Sequence, residues 1–175
     1  MFEKGEFVIF ETVGVCRVAD INTVDMKGVD AKKLFYFLEP VGLRGNRFYI
    51  PVEDHTSFLR KLVSREEASA LLKEVKELGM LPIPDHKHRE ESYKAALKSC
   101  DCREWMKMFH TLYRKKAELT LRGKKLPAMD TRYLKLAKDC LFTELSLALG
   151  ETEAKLEDQV GADLLTDHQV GHETA

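Results

Sequence analysis

Lys4-Gly5-Glu6-Phe7-Val8-Ile9-Phe10-Glu11-Thr12-Val13-Gly14-Val15-Cys16-Arg17-Val18 sets two short apolar runs between turn residues. Lys4-Gly5-Glu6 opens a turn into a strand over Phe7–Glu11. Thr12-Val13-Gly14 is a second turn, and Val15–Ile21 is the returning strand. Runs of β-branched and aromatic residues cut by Gly are the pattern of half-buried strands, not of helices. Strict alternation along the second strand places Val15, Arg17 and Ala19 on one face and Cys16, Val18 and Asp20 on the other. Asp25-Met26-Lys27-Gly28 reads as a hairpin turn. Lys33–Leu38 and Arg47–Val52 are the next strands, joined by a loop from Glu39 to Asn46 that holds Gly42 and Gly45. Four or five strands this short cannot pack as a sandwich. They can close into a small SH3- or Tudor-like barrel, which also disposes of most free edges.

After Ser64 the punctuation changes. Ser64-Arg65-Glu66-Glu67 is a capping box, with Ala68, Leu71, Leu72, Val75 and Leu78 behind it at helical spacing and Gly79 as the stop. Pro82 and Pro84 keep the following linker from continuing that helix. A short helix is predicted from Arg89 to Leu97. Asp101, with Glu104 three residues on, caps a longer one whose core face is Trp105, Met108, Phe109, Leu112 and Leu119, ending at Gly123. Another helix is predicted to start at a cap on Asp130 and to end at Gly150, and an amphipathic turn over Thr152–Val160 precedes a polar tail. The fold class is therefore α+β, a small N-terminal β-barrel followed by an all-helical C-terminal domain. The predicted division is 1–60 for the barrel, 61–84 for a connecting helix and linker, 85–160 for a basic helical domain, and 161–175 for a mobile tail.

A hydrophobic content of 44% and a charged content of 33% are ordinary for a soluble globular chain. No run approaches the ~20 apolar residues that span a bilayer, and Met1-Phe2-Glu3-Lys4-Gly5 lacks the apolar core of a signal peptide. The expected location is the cytoplasm, with no membrane partner. Cys16, Cys100, Cys102 and Cys140 do not make a secreted-type disulfide framework, so reduced thiols are expected. The net charge of −1 conceals segregation. Residues 85–140 carry 15 Lys/Arg against 8 Asp/Glu, a net of +7, whereas residues 141–175 carry 1 against 8, a net of −7. A basic block is what a phosphate-facing surface needs. The plainer alternative is that the two blocks lie against each other.

Chemistry-bearing constellations are few. Cys100-x-Cys102 near His86-x-His88 lacks the two-residue spacing and second pair of structural zinc sites, so no metal or cofactor is expected. Glu53-Asp54-His55 has acid–base chemistry but sits between a strand and a helix, where acids usually cap, and no catalytic residue is assigned. Gly42-Leu43-Arg44-Gly45 lacks the Lys-Ser/Thr end of a phosphate loop. The densest basic patch is Arg114-Lys115-Lys116 with Arg122-Gly123-Lys124-Lys125. Cations near a helix C-terminus satisfy the macrodipole, but six of them exceed that need, which leaves phosphate contact as their second reading. Arg47 and Tyr49, two apart on one strand, face the same side, and an exposed Tyr–Arg pair is favoured at protein interfaces.

The order of these pieces resembles the CarD family of bacterial transcription regulators over residues 2–158. The N-terminal likeness rests on Phe2-x-Lys4-Gly5-Glu6-x-Val8-Ile9, Gly14-Val15, Lys27-Gly28, Phe35-Tyr36 and Ile50-Pro51-Val52. The C-terminal likeness rests on Tyr93-Lys94, Leu97, Ser99 with Asp101, Leu126, Asp130, Leu134, Ala137 and Glu144-Leu145-x-Leu147-Ala148. The resemblance implies a Tudor-like domain, of the type also found in the transcription-repair coupling factor, that docks on the RNA polymerase β subunit. It places that contact on Val24, Arg47, Tyr49 and Pro51. It also implies a helical domain that reaches promoter DNA at the upstream edge of the melted bubble. Members commonly carry a Trp there as a minor-groove wedge. This sequence has Arg89, preceded by His88 and followed by Glu90-Glu91, at that position, and its Trp105 falls on an apolar helix face instead.

Taken with that resemblance, the sequence leads to the expectation of a non-enzymatic, monomeric transcription regulator. The barrel is expected to bind polymerase, and the helical domain to contact promoter DNA weakly and without sequence preference through Arg89, Arg114, Lys115, Lys116, Arg122, Lys124 and Lys125. A rival reading keeps the barrel and has the helical domain contact a protein. A distant third is a small metal-dependent hydrolase using His86, His88 and Cys100.

Overall fold

The computed structural model describes residues 1–57 and 59–170, and the chain divides into two units, Met1–Leu62 and Val63–Ala175. In the first, β1 (Phe7–Phe10), β2 (Gly14–Thr23), β3 (Leu34–Pro40), β4 (Phe48–Pro51) and β5 (Leu59–Lys61) form one antiparallel sheet in the order β4-β3-β2-β1-β5. This is a bent half-barrel of the expected class. The expected hairpin turn at Asp25–Gly28 lies inside a longer β2–β3 connection, where Gly28 has φ +88° and Val29 N–H bonds the Met26 carbonyl.

The concave face carries the core: Phe2, Val8, Cys16, Val18, Tyr36, Leu38 and Leu59. The Phe2 amide donates to the Tyr36 hydroxyl at 3.0 Å, which ties the N-terminal segment across the sheet. His55 lies edge-on to both rings, at 5.3 Å from Phe2 and 5.6 Å from Tyr36, and its Nδ1 meets the Val52 carbonyl at 2.6 Å. His55 of the Glu53-Asp54-His55 trio is thus used in packing, while Glu53 and Asp54 are exposed.

Two features of the sheet depart from the sequence reading. The register slips between Val18 and Asp20, so that Arg17 pairs with Glu39 and Asp20 with Phe37. A bulge inserts one unpaired residue and resets the alternation, which puts Asp20 on the face of Arg17 rather than on that of Cys16 and Val18. The sequence reading allows four or five strands but locates only four, and the fifth, β5, lies at Leu59–Lys61. Three residues carry too short a pattern to register, and pairing with Val8–Phe10 of β1 is what makes them a strand.

The second unit contains α1 (Arg65–Lys73), α2 (Val75–Leu78), α3 (Arg89–Lys98), α4 (Cys102–Leu121), α5 (Ala128–Leu149) and α6 (Glu153–Val170). The predicted capping box is present: Glu67 N–H donates to Ser64 Oγ at 3.1 Å and Ser64 N–H to Glu67 Oε2 at 2.7 Å. Asp101 caps α4 through Arg103 N–H at 2.8 Å. α5 begins earlier than expected, at Ala128 behind Pro127, so Asp130 is not its cap but a residue of its first turn. α6 runs on to Val170, beyond the expected end at Val160. Leu156, Val160 and Leu164 are all buried, and that stripe at four-residue spacing holds the helix down past Val160. Residues 171–175 of the expected tail lie outside the described residues.

Trp105 is fully buried with Phe109, Leu112, Phe142 and Leu145, a core residue as its helical stripe implies. α5 is the central element, burying residues around most of its circumference, from Tyr133 and Leu134 to Leu149. The acidic C-terminal segment meets the basic block at one described ion pair, Lys138 Nζ to Glu157 Oε1 at 2.7 Å.

Candidate functional site

Cross-strand partners share a face of a sheet, so the convex side of the first unit can be read from the register. Glu39 sits opposite Arg17 and accepts from it at 3.4 Å, and its other oxygen lies 3.2 Å from Arg47. Next along β3, Phe37 sits opposite Tyr49 with ring centroids 4.9 Å apart and planes at 87°. Pro51 follows on β4 opposite Phe35. The result is a ribbon of one Arg–Glu–Arg cluster beside an edge-to-face aromatic pair, in which Tyr49 remains 45% exposed.

Of the four residues assigned to a polymerase contact, Arg47, Tyr49 and Pro51 are brought to this face. Val24 lies just past the end of β2, half-buried. The sequence reading missed Arg17, Phe37 and Glu39. Their signal was available in the alternation Phe35-x-Phe37-x-Glu39, but which β2 residue met Glu39 depended on the bulge.

In the helical unit the assigned cations separate into two groups. Asp130 is fully buried, and three donors converge on it. Arg89 gives Nε to Oδ1 at 3.0 Å and Nη2 to Oδ2 at 3.1 Å, the Tyr93 hydroxyl reaches Oδ1 at 2.9 Å, and Lys115 Nζ reaches Oδ2 at 2.9 Å. Burial pushes the Asp130 carboxyl toward a higher pKa, but the hydrogen bonds from Arg89, Lys115 and Tyr93 outweigh it and hold the group below the usual carboxylate range. For Tyr93, burial and then the Asp130 bond push the phenol far above its ordinary value, so it stays a donor. Arg89 Nη1 also donates to the His86 carbonyl at 3.1 Å. The residue at the wedge position is therefore turned inward, and Lys115 is committed with it.

Glu90, one of the two acids that follow Arg89, organises a second cluster. It accepts from Arg132 Nη2 and from the Tyr133 hydroxyl, each at 2.8 Å, and lies 3.7 Å from Lys94. The Tyr133 bond chiefly, then the nearby Lys94 and Arg132 charges, keep its carboxyl below the ordinary range. A buried acid on α5, Glu144, serves the architecture differently: it accepts from Val63 N–H at 2.9 Å and from the Cys102 thiol at 2.8 Å. Cys102 is thus a hydrogen-bond donor within the core.

The other assigned cations surround the C-terminal end of α4. Lys116, Arg122, Lys124 and Lys125 are exposed, and the chain turns there at Gly123, whose φ of +68° stops the helix while Lys124 N–H bonds the Leu119 carbonyl at 2.8 Å. Arg114 and Arg122 line a groove beside α4 together with Lys115. His86 and His88 do not converge with Cys100. His88 pairs with Asp85 at 2.6 Å, and among the described residues no group of three His, Cys, Asp or Glu side chains is placed to hold a metal ion. Nor is any described helix long and apolar enough to cross a membrane.

Residues 2–63, which hold this sheet, match the family model described as the CarD-like/TRCF RID domain. The first unit is similar to the CarD-like/TRCF RID domain. The match takes in every strand from β1 to β5 and ends as the helical unit begins. No curated protein matches the chain. The RID domain belongs to a polymerase-interacting, CarD-like kind whose task is to bind a protein. Its Arg17–Glu39–Arg47 and Phe37–Tyr49 ribbon has the aromatic and Arg content that such contacts favour.

Proposed function

We propose that this protein is a transcription regulator that docks on the β subunit of RNA polymerase through its RID domain and acts on promoter open complexes. The observation that carries this reading is the Phe37–Tyr49 pair, with Tyr49 exposed and Phe37 half-buried, flanked by Arg47 and Pro51, on a unit that matches the RID domain model. Arg47, Tyr49 and Pro51 form the contact, with Val24 at its margin. A ribbon of Arg and aromatic side chains has the composition favoured at protein interfaces.

The helical unit contributes weak, sequence-independent DNA contact. With Arg89 and Lys115 bound to Asp130, phosphate contact falls to Lys116, Lys124 and Lys125, with Arg114 and Arg122 at the edge of that surface. Three to five cation–phosphate contacts give little affinity alone and a strong dependence on salt. Attachment to polymerase raises their effective concentration, so a weak contact at the upstream DNA is enough to bias an open complex.

The test is a pull-down of polymerase β-subunit fragments with the full-length chain and with its Tyr49→Ala and Arg47→Glu variants. Loss of β binding in the variants, with a native circular-dichroism spectrum, is expected, because truncating an interface Tyr or Arg often costs ~1–2 kcal/mol or more. Equal capture by all three proteins would move the interface off this face.

A further inference from the structure

Leu121, the last helical residue of α4, is 89% exposed, more than any other large apolar side chain among the described residues. It lies about two and a half helical turns beyond the fully buried Leu112, which aims it ~180° away from the core stripe of its own helix. The turn that carries it is closed by backbone bonds. Arg122 N–H donates to the Leu119 carbonyl at 3.1 Å, Gly123 N–H to the Thr120 carbonyl at 3.0 Å and Lys124 N–H to the Leu119 carbonyl at 2.8 Å. The last two are the paired bonds of a Schellman motif, made possible by the left-handed φ of +68° at Gly123. Pro127 follows, its carbonyl taken by Thr131 N–H at 2.9 Å, so the path into α5 is fixed as well. Leu121 is therefore presented on a turn that is ordered before any ligand arrives, which reduces the ordering cost of binding.

Its surroundings are cationic. Every residue from Thr120 to Lys125 is exposed, and Leu121 is the one apolar side chain among them. Arg122, Lys124 and Lys125 follow it directly, and no described residue pairs with them. Glu118, the nearest acid in sequence, is engaged in an interaction of its own. An apolar tip ringed by cations fits a polyanion with an apolar interior. The faces of nucleic-acid bases are such an interior, covered by stacking in an intact duplex and opened where a base step unstacks. Leu is among the side chains that enter such a step while neighbouring cations hold the phosphates. We infer that Leu121 is an insertion residue of the DNA contact proposed above, seated against an unstacked base step with Arg122, Lys124 and Lys125 on the flanking phosphates. The inference rests on that contact and adds what cations alone do not supply: selection of a duplex by how easily it deforms, with no base read directly. A lipid surface fits less well, because helices that lie on membranes present a broad apolar face, and a single Leu between polar neighbours does not make one.

The probes are two fluorescein-labelled DNA duplexes of equal length, one fully paired and one with adjacent central mismatches, followed by anisotropy with the full-length protein at low salt. The parent is expected to bind the mismatched duplex about tenfold tighter, a step of ~1.4 kcal/mol. Leu121→Ser is expected to bring that ratio to about one with an unchanged urea midpoint, and Leu121→Phe to keep it. Lys124→Glu with Lys125→Glu should weaken both duplexes by similar factors and leave the ratio as it is. Equal binding of the two duplexes by the parent, a ratio that Leu121→Ser preserves, or a stronger Leu121-dependent capture by phosphatidylglycerol vesicles would overturn this inference and leave the phosphate contact standing. No binding of either duplex would overturn the DNA contact and this inference together.

Discussion

Arg89, at the start of α3, reaches the carboxylate of Asp130 in the first turn of α5, 41 positions later, and holds it in a two-bond fork while Lys115 from α4 closes on the second oxygen. Three helices are pinned through one buried acid. The side chains of Arg89 and Lys115 are 21% and 30% exposed, so part of each cation remains hydrated while the carboxylate does not. Removing the acid leaves two cations that water can partly recover, and the loss should fall at the lower end for a broken buried pair. Asp130→Asn is expected to destabilise the helical unit by ~3 kcal/mol, read from urea unfolding.

The same residue sets an acid limit. Its folded pKa lies below the unfolded one, so its contribution is present above the unfolded value, near ~4, and is lost as pH falls through the folded value. The wild-type protein should lose stability over that acid window, and Asp130→Asn should show a shallower decline there. Parallel pH profiles of the two proteins would refute this.

Trp105 has no exposed surface and packs with Phe109 and Leu112 on the α4 core face. Trp105→Ala is expected to cost ~3–5 kcal/mol. A variant that melts like the parent but alters open-complex lifetime would give Trp105 a role at the DNA instead.

Gly161 lies in the middle of α6, where Gly costs ~1 kcal/mol relative to Ala. Close approach explains it: a Cβ at this position would lie 2.5 Å from the Tyr113 hydroxyl oxygen and 2.8 Å from the ring carbon bearing it. Overpacking of that kind costs ~1–3 kcal/mol, so Gly161→Ala should be destabilising by ~1 kcal/mol net of the propensity gain. Thermal melts of Gly161→Ala alone and with Tyr113→Leu would check it, the second change restoring stability.

Cys16 is buried in the sheet, and burial pushes its thiol up to about 12. The thiolate is the reactive form, so Cys16 should resist iodoacetamide at pH 8 until the protein unfolds. Cys100, only partly buried, should label first. Mass spectrometry after timed labelling gives the order, and early modification of Cys16 would contradict the packing.

DNA contact by the helical unit, if it rests on surface lysines, should collapse with charge and with salt. Lys124→Glu with Lys125→Glu should remove most fork-junction DNA binding in the presence of polymerase, while the parent signal falls steeply over a salt series. A signal insensitive to both would leave the helical unit with protein contacts alone.

The sequence alone was sufficient for the features governed by near neighbours. Gly5, Gly14 and the runs between them dictate short strands, and Ser64 with Glu67 dictates a helix start. The spacing of Trp105, Met108, Phe109 and Leu112 dictates a core face, because strand and helix periods are local properties of the backbone. The pairing of Arg47 with Tyr49 on one face was legible for the same reason. Tertiary structure decided the rest. The bulge between Val18 and Asp20 resets which side chains share a face, and β5 exists only by pairing with β1. Asp130 reads in sequence as a cap and Arg89 as a surface cation. The two become a buried ion pair only when α3 and α5 pack, since a charge can forgo water only where an opposite charge and donors from other elements replace it.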